Sequence, residues 1–251
     1  MNKFVQIIGF LSLVLSCENS KTLVASKGQN ISINEGICSV KDVEDAIAPY
    51  KVNIDEIMNQ VLSYSVDTYS KKDGDYNTAI GNLMADAVFE LTNPVFQSRT
   101  GKNIDLVLLN HGGIRSILPK GNVTTKTAYK LMPFENSVVV VPLKGSIIME
   151  MTAYLKEFKK AHPISGLKLV LNANNSYRKI LVDGKNVDHS KTYYVATNDY
   201  LYNGGDQMDF FKKSDTLYDL NYKIRNVLLD YFSKNDTLKP TIDQRFIKLK
   251  N

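Results

Sequence analysis

Apolar residues recur at helical spacing in several stretches of the chain. This periodicity predicts helices at about 40–69, 77–92, 145–158 and 220–232, and a short helix that Thr124 or Thr125 caps and that ends near Leu131. Pro49 interrupts the first helix. Asn93-Pro94 is expected to end the second, because proline inside a helix lacks the backbone N–H and clashes with the preceding turn.

Short apolar runs bounded by turn residues alternate with the later helices. They predict strands at 104–109, 138–141, 167–171, 178–182 and 192–197, with a hairpin-like turn at 172–176. Helices come first and strands joined by hairpins follow. This order predicts an α+β fold, a mixed β-sheet with packed helices, rather than a doubly wound parallel sheet.

The N-terminus suggests export. Lys3 precedes an apolar stretch at 4–15 that is too short to span a bilayer of about 30 Å, and Ser16-Cys17 follows it. This resembles a bacterial lipobox, with a signal peptide at 1–16 and a lipid on Cys17; an ordinary signal peptide is the alternative. The polar stretch 17–36 then reads as a lipidated tether to a domain at 37–251. We expect an exported bacterial lipoprotein, anchored in a membrane, that faces the periplasm or the cell surface.

The charge distribution and the absence of known motifs argue against several classes of protein. The formal net charge of +5 comes from scattered lysines and arginines, so we expect no nucleic-acid partner. The three histidines (His111, His162 and His189) fall in different predicted loops without metal-ligand spacing. There is no Gly-x-Ser-x-Gly elbow, P-loop or Gly-x-Gly-x-x-Gly motif. We therefore predict no catalytic residue, metal site or cofactor in this chain.

One loop, residues 110–115, follows the strand predicted at 104–109. Gly112 and Gly113 let backbone approach a ligand closely, and Arg115 offers a fork of donors for a phosphate or carboxylate. Taken alone, these residues fit a plain glycine turn with a surface arginine better than a binding loop.

Four motifs occur in order along the chain, and together they favour the binding loop. They are 81–87 (GNLMADA), 110–115 (NHGGIR), 132–136 (MPFEN) and 196–200 (ATNDY), the last running into 203–206 (NGGD). In that order and spacing they resemble the C-terminal, nucleotide-binding domain of the 5′-nucleotidase / UDP-sugar hydrolase family. The resemblance covers about Val40 to Phe211 and leaves open whether the last predicted helix belongs to it.

The resemblance implies a role for five residues. Phe134 and Tyr200 match aromatic positions that stack on the base, and Asn110 matches an asparagine that contacts the base. Asp206 matches an aspartate that accepts hydrogen bonds from the ribose hydroxyls, and Arg115 matches an arginine at the phosphate end. Without the resemblance, two core aromatics and a loop aspartate in an Asx turn are the alternatives. The residues expected to support these loops are His111, Gly112, Gly113, Asn203, Gly204 and Gly205.

Two departures from the family pattern shape the expected function. Tyr76 stands where the family usually carries another phosphate-binding arginine, and only Lys71 and Lys72 lie nearby in sequence. The metallophosphoesterase domain of the family, with its two divalent metals, has no counterpart in the motifs of this chain.

The resemblance and these departures together imply that the chain is the nucleotide-binding half of a hydrolase that acts in nucleotide catabolism or salvage. A separate metallophosphoesterase subunit would hold the divalent metals, and whether this chain is itself an enzyme stays open. The alternatives are a non-catalytic surface lipoprotein that binds nucleotides or nucleosides, and a relict interaction scaffold.

Overall fold

The computed structural model describes residues 25–250. The predicted signal peptide and Cys17 lie outside the described residues, and the boundary between tether and domain stays a prediction. The chain divides into two units, Met1–Ala48 and Pro49–Asn251. Residues 25–40 form no helix or strand, and helix α1 (Lys41–Asn59) contains no buried residue. No helix in the described part of the chain is long and apolar enough to cross a membrane.

The second unit is a mixed α+β structure, which confirms the predicted fold class. Its elements after α1 are β1 (Val61–Ser65), α2 (Ala79–Thr100), β2 (Leu106–Leu108), β3 (Gly121–Thr124), α3 (Thr125–Leu131), β4 (Ser137–Lys144), α4 (Gly145–Phe158), β5 (Ile164–Ser165), β6 (Leu167–Leu171), β7 (Tyr177–Val182), β8 (Lys185–Asn186), β9 (Thr192–Asn198), α5 (Asp199–Tyr202), β10 (Tyr218–Lys223), α6 (Ile224–Lys234), β11 (Thr237–Leu238) and β12 (Phe246–Lys248).

The strands form three sheets, in the orders β10-β4-β9-β2-β5, β12-β6-β7-β8 and β11-β1-β3. Both faces of the five-stranded sheet are covered. Val138 and Val140 of β4 join one apolar cluster with helices α2, α3 and α6, while Val139 and Val141 join a second cluster with α4 and the four-stranded sheet. Successive strand residues point to opposite faces, so an unbroken valine run fits a strand buried on both sides.

Local signals set several element ends as predicted. Helix α4 spans the predicted residues, and Thr124 caps α3 in a reciprocal capping box with Thr127. Strands β6 and β9 also match the expected segments.

Three predicted helices were wrong in part, and long-range contacts explain each one. Residues 61–65 form a strand, because β1 pairs with β3 and with β11 from the far end of the chain. Helix α2 continues through Pro94 to Thr100, where burial of Phe96 outweighs the lost hydrogen bond. Residues 218–223 form β10 on the edge of β4, so the last helix begins only at Ile224.

Strand directions bring three loops to one edge of the five-stranded sheet. β2 and β9 are parallel, so the loops that follow them, at 109–115 and 198–206, leave the sheet at the same edge. β4 is antiparallel to β9, with Val138 opposite Asn198, so the loop that precedes β4 reaches this edge as well. The motifs at 110–115, at 132–136 and at 196–200 with its extension to 206 are thereby neighbours, whereas the motif at 81–87 lies in helix α2.

Candidate functional site

A cleft of about 520 Å³ lies between these loops. Its lining residues are Asn110, Gly112, Arg115, Phe134, Glu135, Asn136, Tyr200 and Asp206. All five residues that the resemblance assigns to ligand binding are therefore among those that line one cavity. An apolar cavity of this size with a few polar groups suits a small organic ligand.

The two aromatic residues are surface residues. Phe134 is 41% exposed and Tyr200 is 44% exposed, so neither is the core aromatic that the alternative required. Exposing the apolar surface of a ring to water is unfavourable, and a ring exposed in a cleft offers a face on which a planar ligand can stack.

Asp206 is held by two tyrosines. The Tyr200 hydroxyl donates to Asp206 Oδ1 at 3.0 Å, and the Tyr154 hydroxyl donates to the Asp206 backbone carbonyl at 2.8 Å. Hydrogen bonding to Asp206 raises the pKa of Tyr200, and burial raises the pKa of Tyr154 to about 12, so both hydroxyls keep their protons. The Asp206 side chain is fixed by Tyr200 rather than by an Asx turn, and its Oδ2 faces Gly112.

The glycine-rich segment before Asp206 lets its backbone lie directly against the Tyr200 ring. A Cβ on Gly205 would overlap the Tyr200 ring, which lies directly against this backbone. Gly204 adopts a φ of 90°, which favours glycine, and Asn203 Nδ2 donates to the Asp199 carbonyl at 2.8 Å to close helix α5. These three predicted loop-support residues shape the segment between Tyr200 and Asp206 and are not among the residues that line the cleft.

Asn110 is oriented by a neighbouring amide. Asn198 Nδ2 donates to Asn110 Oδ1 at 3.2 Å, which leaves Asn110 Nδ2 as the donor for a ligand. Asn198 Oδ1 accepts the Leu201 N–H at 2.8 Å and caps helix α5. At Gly113 a Cβ would lie 3.1 Å from Asn110 Oδ1, so the turn leaves little room for a side chain there.

His111 and His162 lie together, although they fall in different predicted loops. The backbone N–H of His111 donates to His162 Nδ1 at 3.2 Å, and the ring Nδ1 of His111 donates to the Ala161 carbonyl at 3.1 Å. His162 is buried, and desolvation lowers its pKa to about 4, while desolvation also lowers the pKa of His111. Two neutral imidazoles therefore join loop 110–115 to the segment after α4, and the sequence carried no signal for this pairing.

Arg115 lies beside one aromatic ring and one lysine. Its Cζ is 5.8 Å from the centroid of the Phe134 ring, near the outer limit of a cation–π contact. Lys71 Nζ donates to the Ile114 carbonyl at 2.7 Å, and burial, followed by the charges of Arg115, Lys72 and Lys160, lowers the Lys71 pKa. Positive charge therefore gathers at this end of the cleft.

Tyr76, which stands at the position of the usual family arginine, packs on Phe246 with ring centroids 4.8 Å apart. It is an apolar packing residue.

Asn136 joins the two loops that carry the aromatic rings. Its Nδ2 donates to Asp199 Oδ1 at 2.9 Å, and the same oxygen accepts the Tyr200 N–H at 2.8 Å. Asn136, Asn198 and Asp199 were not assigned a role from the sequence. They stand inside the motifs at 132–136 and 196–200, which was the available signal.

The donor set does not fit a two-metal centre. Within residues 25–250, no group of three or more His, Cys, Asp or Glu side chains is arranged to hold a metal ion. Ring nitrogens of His111 and His162 already bond to backbone groups. No chemical step through a metal can be derived from these residues.

An α+β domain whose sheet edge carries exposed aromatic rings, an amide, a carboxylate and an arginine defines a small-ligand-binding domain. Residues 57–213 match the model of the 5′-nucleotidase C-terminal domain. The chain belongs to this family, whose domain is the nucleotide-binding part of the enzymes that contain it.

Curated relatives are longer proteins. The chain is 28% identical to the cell wall protein Lmo0130 of Listeria monocytogenes over 210 residues. This alignment covers 74% of this chain and 25% of that protein. It is 22% identical to 5′-nucleotidase of Bos taurus over 274 residues, and this alignment covers 96% of this chain and 46% of the relative. The chain thus spans between a quarter and about half of their lengths.

Solved structures show the same fold. The 5′-nucleotidase precursor of Thermus thermophilus superposes with a TM-score of 0.69 at 23% identity, over 84% of this chain and 44% of that one. NAD nucleotidase of Haemophilus influenzae gives a TM-score of 0.64 at 18% identity, over 84% of this chain and 42% of that one.

Proposed function

We propose that this protein binds a nucleotide and presents its phosphate to a separate metallophosphoesterase subunit. The observation that carries the proposal is the cleft in which Asn110, Arg115, Phe134, Tyr200 and Asp206 meet from three different loops. Phe134 and Tyr200 provide stacking faces for the base, and Asp206 Oδ2 accepts from a ribose hydroxyl. Arg115 and Lys71 place positive charge where a phosphate would lie.

Binding at the base and ribose contributes to catalysis on another chain. Interactions with these remote parts of the substrate hold the scissile phosphate in a fixed place, which lowers the entropy cost of the chemical step. The residues of the described part of this chain do not fit the two-metal centre that such hydrolysis uses. In this proposal the divalent metals belong to the partner, and a lipid on Cys17 holds the chain at the membrane.

Binding is tested first, by calorimetry with AMP and adenosine. We expect both ligands to bind the purified protein, and Phe134→Ala and Asp206→Ala to weaken binding. The matched control is Arg178→Met, an exposed arginine that does not line the cleft. No detectable heat with either ligand at millimolar concentration would exclude nucleotide binding.

The division of labour is tested by phosphate release from AMP. Purified protein is assayed with Mg²⁺, Mn²⁺ or Zn²⁺, alone and after affinity co-purification from membranes of the source cells. We expect no release by the protein alone and metal-dependent, EDTA-sensitive release by the co-purified fraction. Turnover by the chain alone would make it an enzyme, and binding without any co-purified activity would favour the non-catalytic lipoprotein.

A further inference from the structure

The loop that carries Phe134 is held from helix α6. Arg225 Nη1 donates to the Pro133 carbonyl at 3.1 Å, and Arg225 Nη2 pairs with the Glu135 carboxylate. The two arms of one guanidinium therefore contact the residue before Phe134 and the residue after it. This use of the planar fork is specific to arginine.

A second group of contacts holds the same loop from the start of α6. Lys223 Nζ donates to the Glu135 carbonyl at 2.7 Å, and the Ile224 N–H donates to the Asn136 carbonyl at 3.0 Å. The Phe134 ring itself is 41% exposed, so core packing does not set its position. Its place is determined by the backbone on either side.

Arg225 is itself well fixed. It is only 7% exposed, and its Cζ lies 4.2 Å from the centroid of the Tyr129 ring. A cation placed over a ring and bonded to two acceptors has little rotamer freedom. Hydrogen bonding to Arg225 lowers the pKa of Glu135, so this carboxylate stays ionised beside the guanidinium at neutral pH.

We propose that Arg225 is a positioning residue, which holds the Phe134 ring at the angle and depth that a stacked base requires. It does so through Pro133 and Glu135 and does not line the cleft. Arg225 also lies beyond residues 57–213, the part that matches the family domain. The effect on ligand binding rests on the proposed function, whereas the effect on the loop does not.

The ligand test separates base from sugar phosphate. Calorimetry of Arg225→Met is compared for AMP and for ribose 5-phosphate, which lacks a base. We expect AMP to bind about tenfold more weakly, since stacking contributes about 1–3 kcal/mol per base, and ribose 5-phosphate to change less than about twofold. Arg225→Lys should fall between, because an ammonium can replace only one of the two contacts at a time.

The loop test needs no ligand. The chain contains no tryptophan, so Phe134→Trp introduces a unique fluorophore into the loop. We expect its steady-state anisotropy to fall when Arg225→Met is added and to stay unchanged when Arg178→Met is added. Glu135 has a 69% exposed side chain, so losing its partner leaves a solvated carboxylate and a folded protein, which circular dichroism checks.

Selective loss of AMP binding together with a fall in anisotropy supports the proposal. Equal weakening of AMP and ribose 5-phosphate, or unchanged anisotropy, overturns it. If the unmodified protein binds neither ligand, the proposed function fails, and the anisotropy alone decides whether Arg225 positions the loop.

Discussion

The hydroxyl oxygen of Tyr200 forms two hydrogen bonds with Asp206. It donates to the carboxylate Oδ1 at 3.0 Å and accepts the backbone N–H at 3.3 Å. Asp206 has a φ of 50°, a left-handed conformation that few residues adopt without support. One side chain therefore exposes an aromatic ring in the cleft and also holds the charged group that lines the same cleft.

Tyr200→Phe should separate these two roles. The ring stays while both hydrogen bonds with Asp206 are lost, so the carboxylate is held less firmly and we expect AMP to bind about three- to tenfold more weakly. Tyr200→Ala also removes the stacking face and should cost about 1–3 kcal/mol more. Calorimetry on both variants measures the difference. Equal losses in Tyr200→Phe and Tyr200→Ala would show that the ring does not contact the base.

Arg115→Met should affect phosphate recognition selectively. A charge-assisted hydrogen bond contributes about 1.5–3 kcal/mol, so we expect AMP to bind at least about tenfold more weakly while adenosine changes less than about twofold. The advantage of AMP over adenosine should also shrink at about 0.5 M NaCl, because salt screens exposed charges. Titration of both ligands measures this, with Arg178→Met as the control. A parallel loss for adenosine would move Arg115 away from the phosphate.

Burial of His162 makes stability depend on pH. Its pKa is about 4 in the folded protein and about 6.5 in an unfolded chain, so the unfolded chain binds more protons between these values. The free energy of unfolding should therefore fall as the pH is lowered, by about 2 kcal/mol between pH 7 and pH 5 from this residue. The lowered pKa of His111 acts in the same direction.

Urea unfolding of His162→Gln at both pH values checks this effect. We expect the variant to be less stable at pH 7 and to lose less stability on going to pH 5 than the unmodified protein. An identical pH dependence in the two proteins would contradict the assignment.

Asn82 should matter for folding rather than for binding. Its buried amide donates to Asn77 Oδ1 at 3.0 Å and to the Thr241 carbonyl at 2.9 Å, which ties helix α2 to the C-terminal segment. Asn82→Ala leaves these acceptors without a donor in a buried site and should lower the free energy of unfolding by about 2 kcal/mol. Thermal unfolding measures it, and exposed Asn122→Ala is the matched control. A change within about 0.5 kcal/mol for Asn82→Ala would exclude the structural role.

Much of the candidate site could be predicted because its residues lie in short motifs. Asn110, Arg115, Phe134, Tyr200 and Asp206 were assigned through a family resemblance, and the structure places them around one cleft. The roles of individual residues stay predictions until binding is measured. The sequence assigned no role near the cleft to three further residues, Lys71, His162 and Arg225. Each of them contacts a cleft loop that is distant from its own position in the sequence.

Elements whose signals are local could be predicted from the sequence alone. Helix α4 follows its apolar periodicity, Thr124 caps α3, and the valine run of β4 reads as a buried strand, because each depends on neighbouring residues. Three other features depend on contacts between distant segments of the folded chain. Residues 64–65 pair with residues 237–238, α2 passes Pro94, and the loops after β2 and β9 meet the loop before β4. Strand pairing and core burial join distant residues with free energies that exceed local preference, so no short window of sequence contains them.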